Sequence, residues 1–187
     1  MSGRFDISAT PLEGLKVLTR NPVGDSRGYL ERMFCTNDLA AVLGGRSIVQ
    51  INRTLTRETG TVRGMHFQRP PASEMKFVSC LQGEVFDVAV DLRPGSSTFL
   101  AWHGERLSGA NGRTLAIPEG FAHGFQTLTP DCVLLYLHTA AYTPSAEDGL
   151  NSLDPRLEIS WPLPVAEMSE RDAALPHVGP DFVGVVL

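Results

Sequence analysis

Between residues 61 and 138 the chain is a succession of short apolar segments separated by turn residues, and this rhythm constrains the fold more than any other feature of the sequence. The segments 61–68, 76–81, 84–92, 98–107, 113–117, 124–128 and 133–138 are cut by Gln82-Gly83, Arg93-Pro94-Gly95-Ser96 and Gly109-Ala110-Asn111-Gly112. Gly, Pro and Asn punctuate because they supply the backbone angles that tight turns need. Short strands recurring every roughly 8 to 12 residues predict an all-β sandwich or jelly roll. Such a fold presents alternate residues of each strand to its interior, so the chemistry of the inward-facing positions decides whether that interior is core or cavity.

Outside this central block the signals are sparser. A strand is predicted over 15–19, and Asn37 is placed as the N-cap of a short helix over 38–43, closed by Gly44-Gly45. The segment 47–56 alternates, with Ile48, Gln50, Asn52 and Thr54 on one side and Val49, Ile51 and Leu55 on the other. Its polar side is assigned to the interior of the barrel. In 84–92, Phe86, Val88, Val90 and Leu92 share one face, and Asp87 on the other faces either a cavity or solvent. Beyond Tyr142 the texture becomes rich in Pro, Ser and Asp. This region is expected to wrap around the barrel within a single domain over 1–187, with Ser169 capping a helical turn and a last strand over 178–187.

Composition narrows the function classes. A net charge of −5 without a basic run disfavours nucleic acid as a partner, because a phosphate backbone would be repelled. No apolar run approaches the roughly 18 residues of a membrane span, and Met-Ser-Gly-Arg-Phe-Asp lacks the pattern of a secretory leader, so no membrane partner and a cytoplasmic location are expected. Cys35, Cys80 and Cys132, odd in number and widely spaced, suit reduced thiols. Lys16 and Lys76 are the only lysines among sixteen basic residues, which draws attention to Lys76 as a site with a chemical need for an ammonium.

Two stretches carry the chemistry. Gly60-Thr-Val-Arg63-Gly-Met-His66-Phe-Gln68, followed by Glu74-Met75-Lys76, puts a histidine and two cations on neighbouring strands, a candidate arrangement for proton abstraction. Gly112-Arg-Thr-Leu-Ala-Ile-Pro118-Glu-Gly120-Phe-Ala-His123 repeats the design and fits, with the first stretch, the two sequence motifs of cupins. Metal-binding cupins use a second histidine where this chain has Gln68. Two histidines beside an ammonium are a poor site for a divalent cation, so no metal is expected.

Taken together, Asp25-x-Arg27-Gly28, Gln50-x-Asn52, Arg63-Gly64-x-His66-x-Gln68, Lys76, Phe86-Asp87-Val88-x-Val90-Asp91-x-Arg93, Ile117-Pro118-x-Gly120-Phe121-Ala122-His123-Gly124-Phe125, Tyr136, Tyr142-x-Pro144, Trp161-Pro162 and Ser169-x-x-Asp172 resemble the dTDP-4-dehydrorhamnose 3,5-epimerase family along nearly the whole chain. The resemblance implies an RmlC-like cupin jelly roll with a few short helices, working as a homodimer without a cofactor on a nucleotide-linked 4-keto-6-deoxyhexose. It implies His66 as the base beside the C4 ketone, Asp172 as the group that holds its imidazole, Lys76 as the stabiliser of the enolate oxygen, and Tyr136 as the acid on the opposite face. Arg27, Glu31, Gln50, Asn52, Arg63, His123, Glu147 and Arg171 take the nucleotide-sugar contacts in this scheme, and Tyr142 stacks on the base. Two departures stand near the sugar pocket: the segment before Glu31 is one residue short, and Thr54, Thr56 and Met65 replace the usual residues. Read from the residues alone, Tyr136 in Leu134-Leu135-Tyr136-Leu137 is equally a core residue, Asp172 an exposed helix carboxylate, and His103, His138 and His177 structural. Two other readings stay open: an epimerase of one carbon only, and a cupin that binds a sugar or metal without turnover.

Overall fold

The computed structural model describes residues 3–187, which form thirteen strands and two single-turn helices. In chain order these are β1 (Phe5–Ala9), β2 (Lys16–Arg20), β3 (Val23–Asp25), β4 (Gly28–Leu30), α1 (Ala40–Leu43), β5 (Gln50–Thr56), β6 (Val62–Gln68), β7 (Lys76–Gln82), β8 (Glu84–Asp91), β9 (Trp102–Ser108), β10 (Arg113–Ile117), β11 (Phe121–Thr127), β12 (Cys132–His138), β13 (Glu147–Gly149) and α2 (Glu170–Ala173). Two sheets hold most of them, one ordered β1-β2-β10-β7-β12-β5 and the other β13-β6-β11-β8-β9. Among the described residues all strand pairings within them are antiparallel. The β3–β4 hairpin stands apart. This is the jelly-roll sandwich that the strand rhythm predicts.

Three apolar layers explain why so many strands read as unbroken hydrophobic runs. Between the sheets, Val78, Cys80, Leu115, Ile117 and Leu134 meet Val85, Ala89, Leu107, Phe121 and Phe125. The outer face of the five-stranded sheet, with Met65, Phe67, Val88, Val90 and Ala122, is covered by Leu150, Leu157, Val178 and Val185 of the C-terminal wrap. The outer face of the six-stranded sheet, with Leu18, Phe77, Ala116 and Leu137, is covered by Leu39, Val42 and Leu43 of the α1 region. A strand buried on both faces has no reason to alternate.

Along the inner faces the composition changes from one end of the sandwich to the other. On β12, Cys132 and Leu134 lie in the core while Tyr136 and His138 open onto a cavity. On β7, Cys80 and Val78 give way to Lys76 in the same sense. Strand β5 presents Asn52 and Thr54 inward and leaves Ile51 62% exposed, so its polar side is the interior one, as expected. One end of the sandwich is therefore dry core and the other a polar pocket.

Several boundaries differ from expectation. The helix begins at Ala40, with Leu39 at its N-cap and no side-chain cap, so Asn37 does not cap it. Residues 98–101 turn instead of extending, with Leu100 at φ 64, and the strand starts at Trp102. Residues 178–187 form no strand; Val178 donates to the Asp154 carboxylate and Val185 N–H to Leu92 O, so the segment is held at single points. Ser169 does cap α2, its hydroxyl accepting from Asp172 N–H at 3.1 Å.

Candidate active site

The cavity, about 420 Å³, lies within the usual range of about 300–1,000 Å³ for small-molecule sites. One wall comes from β6, β11 and β13 and α2, and the other from β5, β7 and β12. Strand β6 contributes twice because of a bulge: His123 pairs with His66 and Phe125 with Arg63, so two steps on β11 match three on β6. The extra residue lets Arg63 and His66 both reach the cavity although they are three apart. The bulge depends on Gly64, at φ 119, lying against Gly124; a Cβ on Gly64 would come within 2.5 Å of the Gly124 Cα.

At the mouth, His66 Nε2 meets Asp172 Oδ1 at 2.8 Å, and the second carboxylate oxygen accepts from Gly64 N–H at 3.1 Å. Burial alone would raise the Asp172 carboxyl, but the bonds from His66, Gly64 and Ser169 together hold it below the usual carboxylate range. A charged Asp172 on one ring nitrogen fixes the imidazole's orientation and leaves the other nitrogen for a proton. Asp172 is thus 4% exposed, a buried partner and not a solvated helix carboxylate.

On the facing wall stand Lys76 and Tyr136. The Tyr136 phenol is raised above its ordinary value, chiefly by burial and then by the charge of Asp87, against a weaker pull from a Thr54 hydrogen bond. It therefore holds its proton at neutral pH. Behind the cavity Asp87, fully buried, takes His123 Nε2 at 2.8 Å. Asp87 thus neither lines the cavity nor meets solvent; it lies one layer behind, where burial raises its carboxyl. At the rim, Tyr142 Oη donates to Glu147 at 2.6 Å and Arg171 pairs with the same carboxylate at 2.7 Å.

Of the residues singled out in the sequence, His66, Tyr136, Asp172, Lys76, Asn52, Arg63, His123, Tyr142, Glu147 and Arg171 converge on this cavity. Gln50 sits just outside, its Oε1 accepting from Tyr142 N–H at 2.9 Å. Arg27 lies on the exposed β3–β4 turn, paired with Asp25, and Glu31 is bound to Arg20 at 3.0 Å, so neither reaches the cavity of its own chain. Thr54, expected near the sugar pocket, also lines it, as do Phe67, Gln68, Glu74, Phe125, His138 and Ser169, to which sequence reasoning assigned no site role. His138 was legible as the next inward position after Tyr136 on β12, and Glu74 as the neighbour but one of Lys76. Gln68 is spent on structure, donating to Ala72 O and Ala141 O and accepting from Thr143 N–H. Among the described residues no cluster of three His, Cys, Asp or Glu side chains could hold a metal ion.

An imidazole held by a buried carboxylate on one sheet, opposite a protonated phenol and an ammonium on the other, equips a jelly roll for proton transfer at carbon, the work of an isomerase. Comparison with known proteins gives the same class and narrows it. The family model for dTDP-4-dehydrorhamnose 3,5-epimerase matches residues 9–179. A dTDP-4-dehydrorhamnose 3,5-epimerase of Sinorhizobium fredii is 40% identical over 165 residues, 88% of this chain and 85% of the relative. A dTDP-4-dehydrorhamnose 3-epimerase of Streptomyces niveus is 36% identical over 162 residues, 86% and 78% of the two chains. The crystal structure of dTDP-6-deoxy-D-glucose-3,5-epimerase from Legionella pneumophila, in complex with dTDP-4-keto-L-rhamnose, superposes with a TM-score of 0.89 at 38% identity, covering 97% of this chain and 98% of that one. The chain belongs to the dTDP-4-dehydrorhamnose 3,5-epimerase family and is an epimerase of deoxysugar biosynthesis. Among the described residues no helix is long and apolar enough to cross a membrane.

Proposed function

We propose that this enzyme inverts C3 and C5 of a dTDP-linked 4-keto-6-deoxyhexose, with His66 as base and Tyr136 as acid. The observation that carries the proposal is that the two groups come from facing sheets, His66 from β6 and Tyr136 from β12, and line one cavity. A sugar ring between them meets a base on one side and a proton donor on the other, which is what inversion at carbon requires. His66 takes the proton next to the C4 ketone, Asp172 steadies the imidazolium that results, Lys76 stabilises the enolate oxygen, and Tyr136 delivers a proton to the other face. No step calls on a cofactor.

The nucleotide part is assigned to the rim. Arg63 and Arg171 suit the pyrophosphate, since guanidinium groups bind phosphate oxygens in pairs. Tyr142, 51% exposed beside Glu147, offers a ring to the thymine, and Gln50, Asn52 and His123 complete the polar contacts. Arg27 and Glu31 take part through a homodimer in which the β3–β4 segment of one chain reaches its partner's cavity. The apolar side chains left outside support this: Val23, Tyr29 and Leu30 on the hairpin, Val49 just before β5, and Ile51 and Leu55 on it are all exposed. The enzyme is assigned to the cytoplasm.

Incubation with dTDP-4-keto-6-deoxyglucose in deuterated water tests the proposal, with NMR reading which ring positions take up label. Label at C3 and C5 is expected. Label at one of them alone would favour the second reading, an epimerase of a single carbon, which the 36% identity to a 3-epimerase keeps in view.

A further inference from the structure

The Glu74 carboxylate divides its two oxygens between two cavity residues. Lys76 Nζ lies 3.1 Å from Oε1, and His138 Nδ1 lies 2.7 Å from Oε2. All three side chains are largely buried, at 8% exposure for Glu74, 9% for Lys76 and 12% for His138. His138 is itself held in place, its ring stacked on Tyr136 with centroids 6.0 Å apart and planes 13° from parallel. Its Nε2 faces the Asn52 amide at 3.4 Å. The carboxylate is thus gripped from two strands, β7 and β12, and cannot swing away from either partner.

The physical consequence falls on Lys76. An ammonium in a partly dehydrated cavity needs an anion or several acceptors to remain there as a charge, and the long lysine chain needs a contact to fix where that charge sits. Glu74 supplies both. Preorganised charge assists a reaction because it does not have to be reoriented when the enolate forms. We propose that Glu74 is a positioning residue of the epimerisation, acting through Lys76, with His138 as the second anchor that locks the carboxylate. This rests on Lys76 acting at the enolate oxygen.

A double-mutant cycle on the full chain tests it, using Glu74→Gln, Lys76→Met and the double variant with dTDP-4-keto-6-deoxyglucose. Gln keeps the shape of Glu74 and removes its charge. The expected result is that Glu74→Gln lowers kcat by about 10²-fold, the scale of losing one preorganised group, with KM changed by less than about threefold. In the Lys76→Met background the same substitution should cost nothing further. An equal loss in both backgrounds, or an unchanged kcat, would overturn the proposal by reducing Glu74 to a structural contact. Wild-type kcat in Lys76→Met would instead remove the role assigned to Lys76, and the positioning role with it. Should Glu74→Gln fail to fold, His138→Phe keeps the stacking on Tyr136 while deleting the second anchor. It is expected to lower kcat in the wild-type background and not in Lys76→Met, and additive losses there would overturn the proposal equally.

Discussion

The Asp172 carboxylate reaches the His66 imidazole at 2.8 Å across 106 positions of sequence, and its other oxygen holds the backbone of the strand that carries the histidine. One side chain from a single-turn helix thereby fixes both the ring and the bulge beneath it.

Replacing Asp172 with Asn keeps the shape and removes the charge. The amide no longer stabilises an imidazolium, and it can present a donor to the ring nitrogen that now faces an acceptor. The expected outcome is a fall in kcat of about 10²-fold or more with KM nearly unchanged, measured by steady-state kinetics. A change confined to KM would make Asp172 a binding residue.

Gly124 tests the close approach of β6 and β11. A Cβ there would meet Met65 Sδ at 2.6 Å and Arg63 O at 2.7 Å, inside a fully buried layer. Gly124→Ala is expected to lower stability by about 1–3 kcal/mol, the range for overpacked cores. It should also lower kcat, because the displaced strand carries Arg63 and His66. Thermal unfolding and kinetics on the same preparation check both parts, and unchanged kinetics would show that the bulge does not set the histidine's position.

Asp91 links stability to pH. Its buried carboxylate accepts from Arg93, Ser96 and Thr98. Burial pulls its pKa upward, but these hydrogen bonds outweigh that and bring it down to about 2. A folded value below the unfolded one means that the stabilisation is present above the unfolded value, near 4, and is lost as pH falls toward about 2. Asp172, Glu74 and Glu147 are shifted in the same direction, while burial raises Asp87, which opposes them. The melting temperature should therefore fall between about pH 5 and pH 2, and Asp91→Asn should flatten that fall while lowering stability at pH 7. An acid limb identical in the variant would place the effect elsewhere.

Much of the architecture was legible because the turns are chemically explicit. Arg93-Pro94-Gly95-Ser96 and Gly109-Ala110-Asn111-Gly112 mark strand ends whatever the tertiary context. The pieces that were missed, β1, the β3–β4 hairpin and β13, are short or lie at sheet edges, where pairing rather than local pattern decides the conformation. The expected strand at 178–187 failed for the converse reason: Val178 and Val185 are apolar because they join the layer over Val90 and Leu92, not because they lie in a ladder, and Val183, Val186 and Leu187 between and beyond stay exposed. In the site, His66, Lys76 and Tyr136 sat at readable inward positions of their strands. The carboxylate behind His123, Asp87, comes from a deeper layer on another strand, 36 positions away, and no spacing rule connects the two.

The proposed function requires a base on one sheet and an acid on the other to act on opposite faces of one sugar ring. Tyr136→Phe keeps the ring, its contact with His123 and its stacking on His138, and removes only the hydroxyl. In deuterated water this variant should still exchange substrate hydrogen with solvent, since His66 can return a deuteron to the face it attacked, while net inversion falls by about 10²-fold or more. His66→Ala should lose exchange and inversion together. Inversion at the wild-type rate in Tyr136→Phe would contradict the account, placing Tyr136 among the core residues and the second proton with another donor.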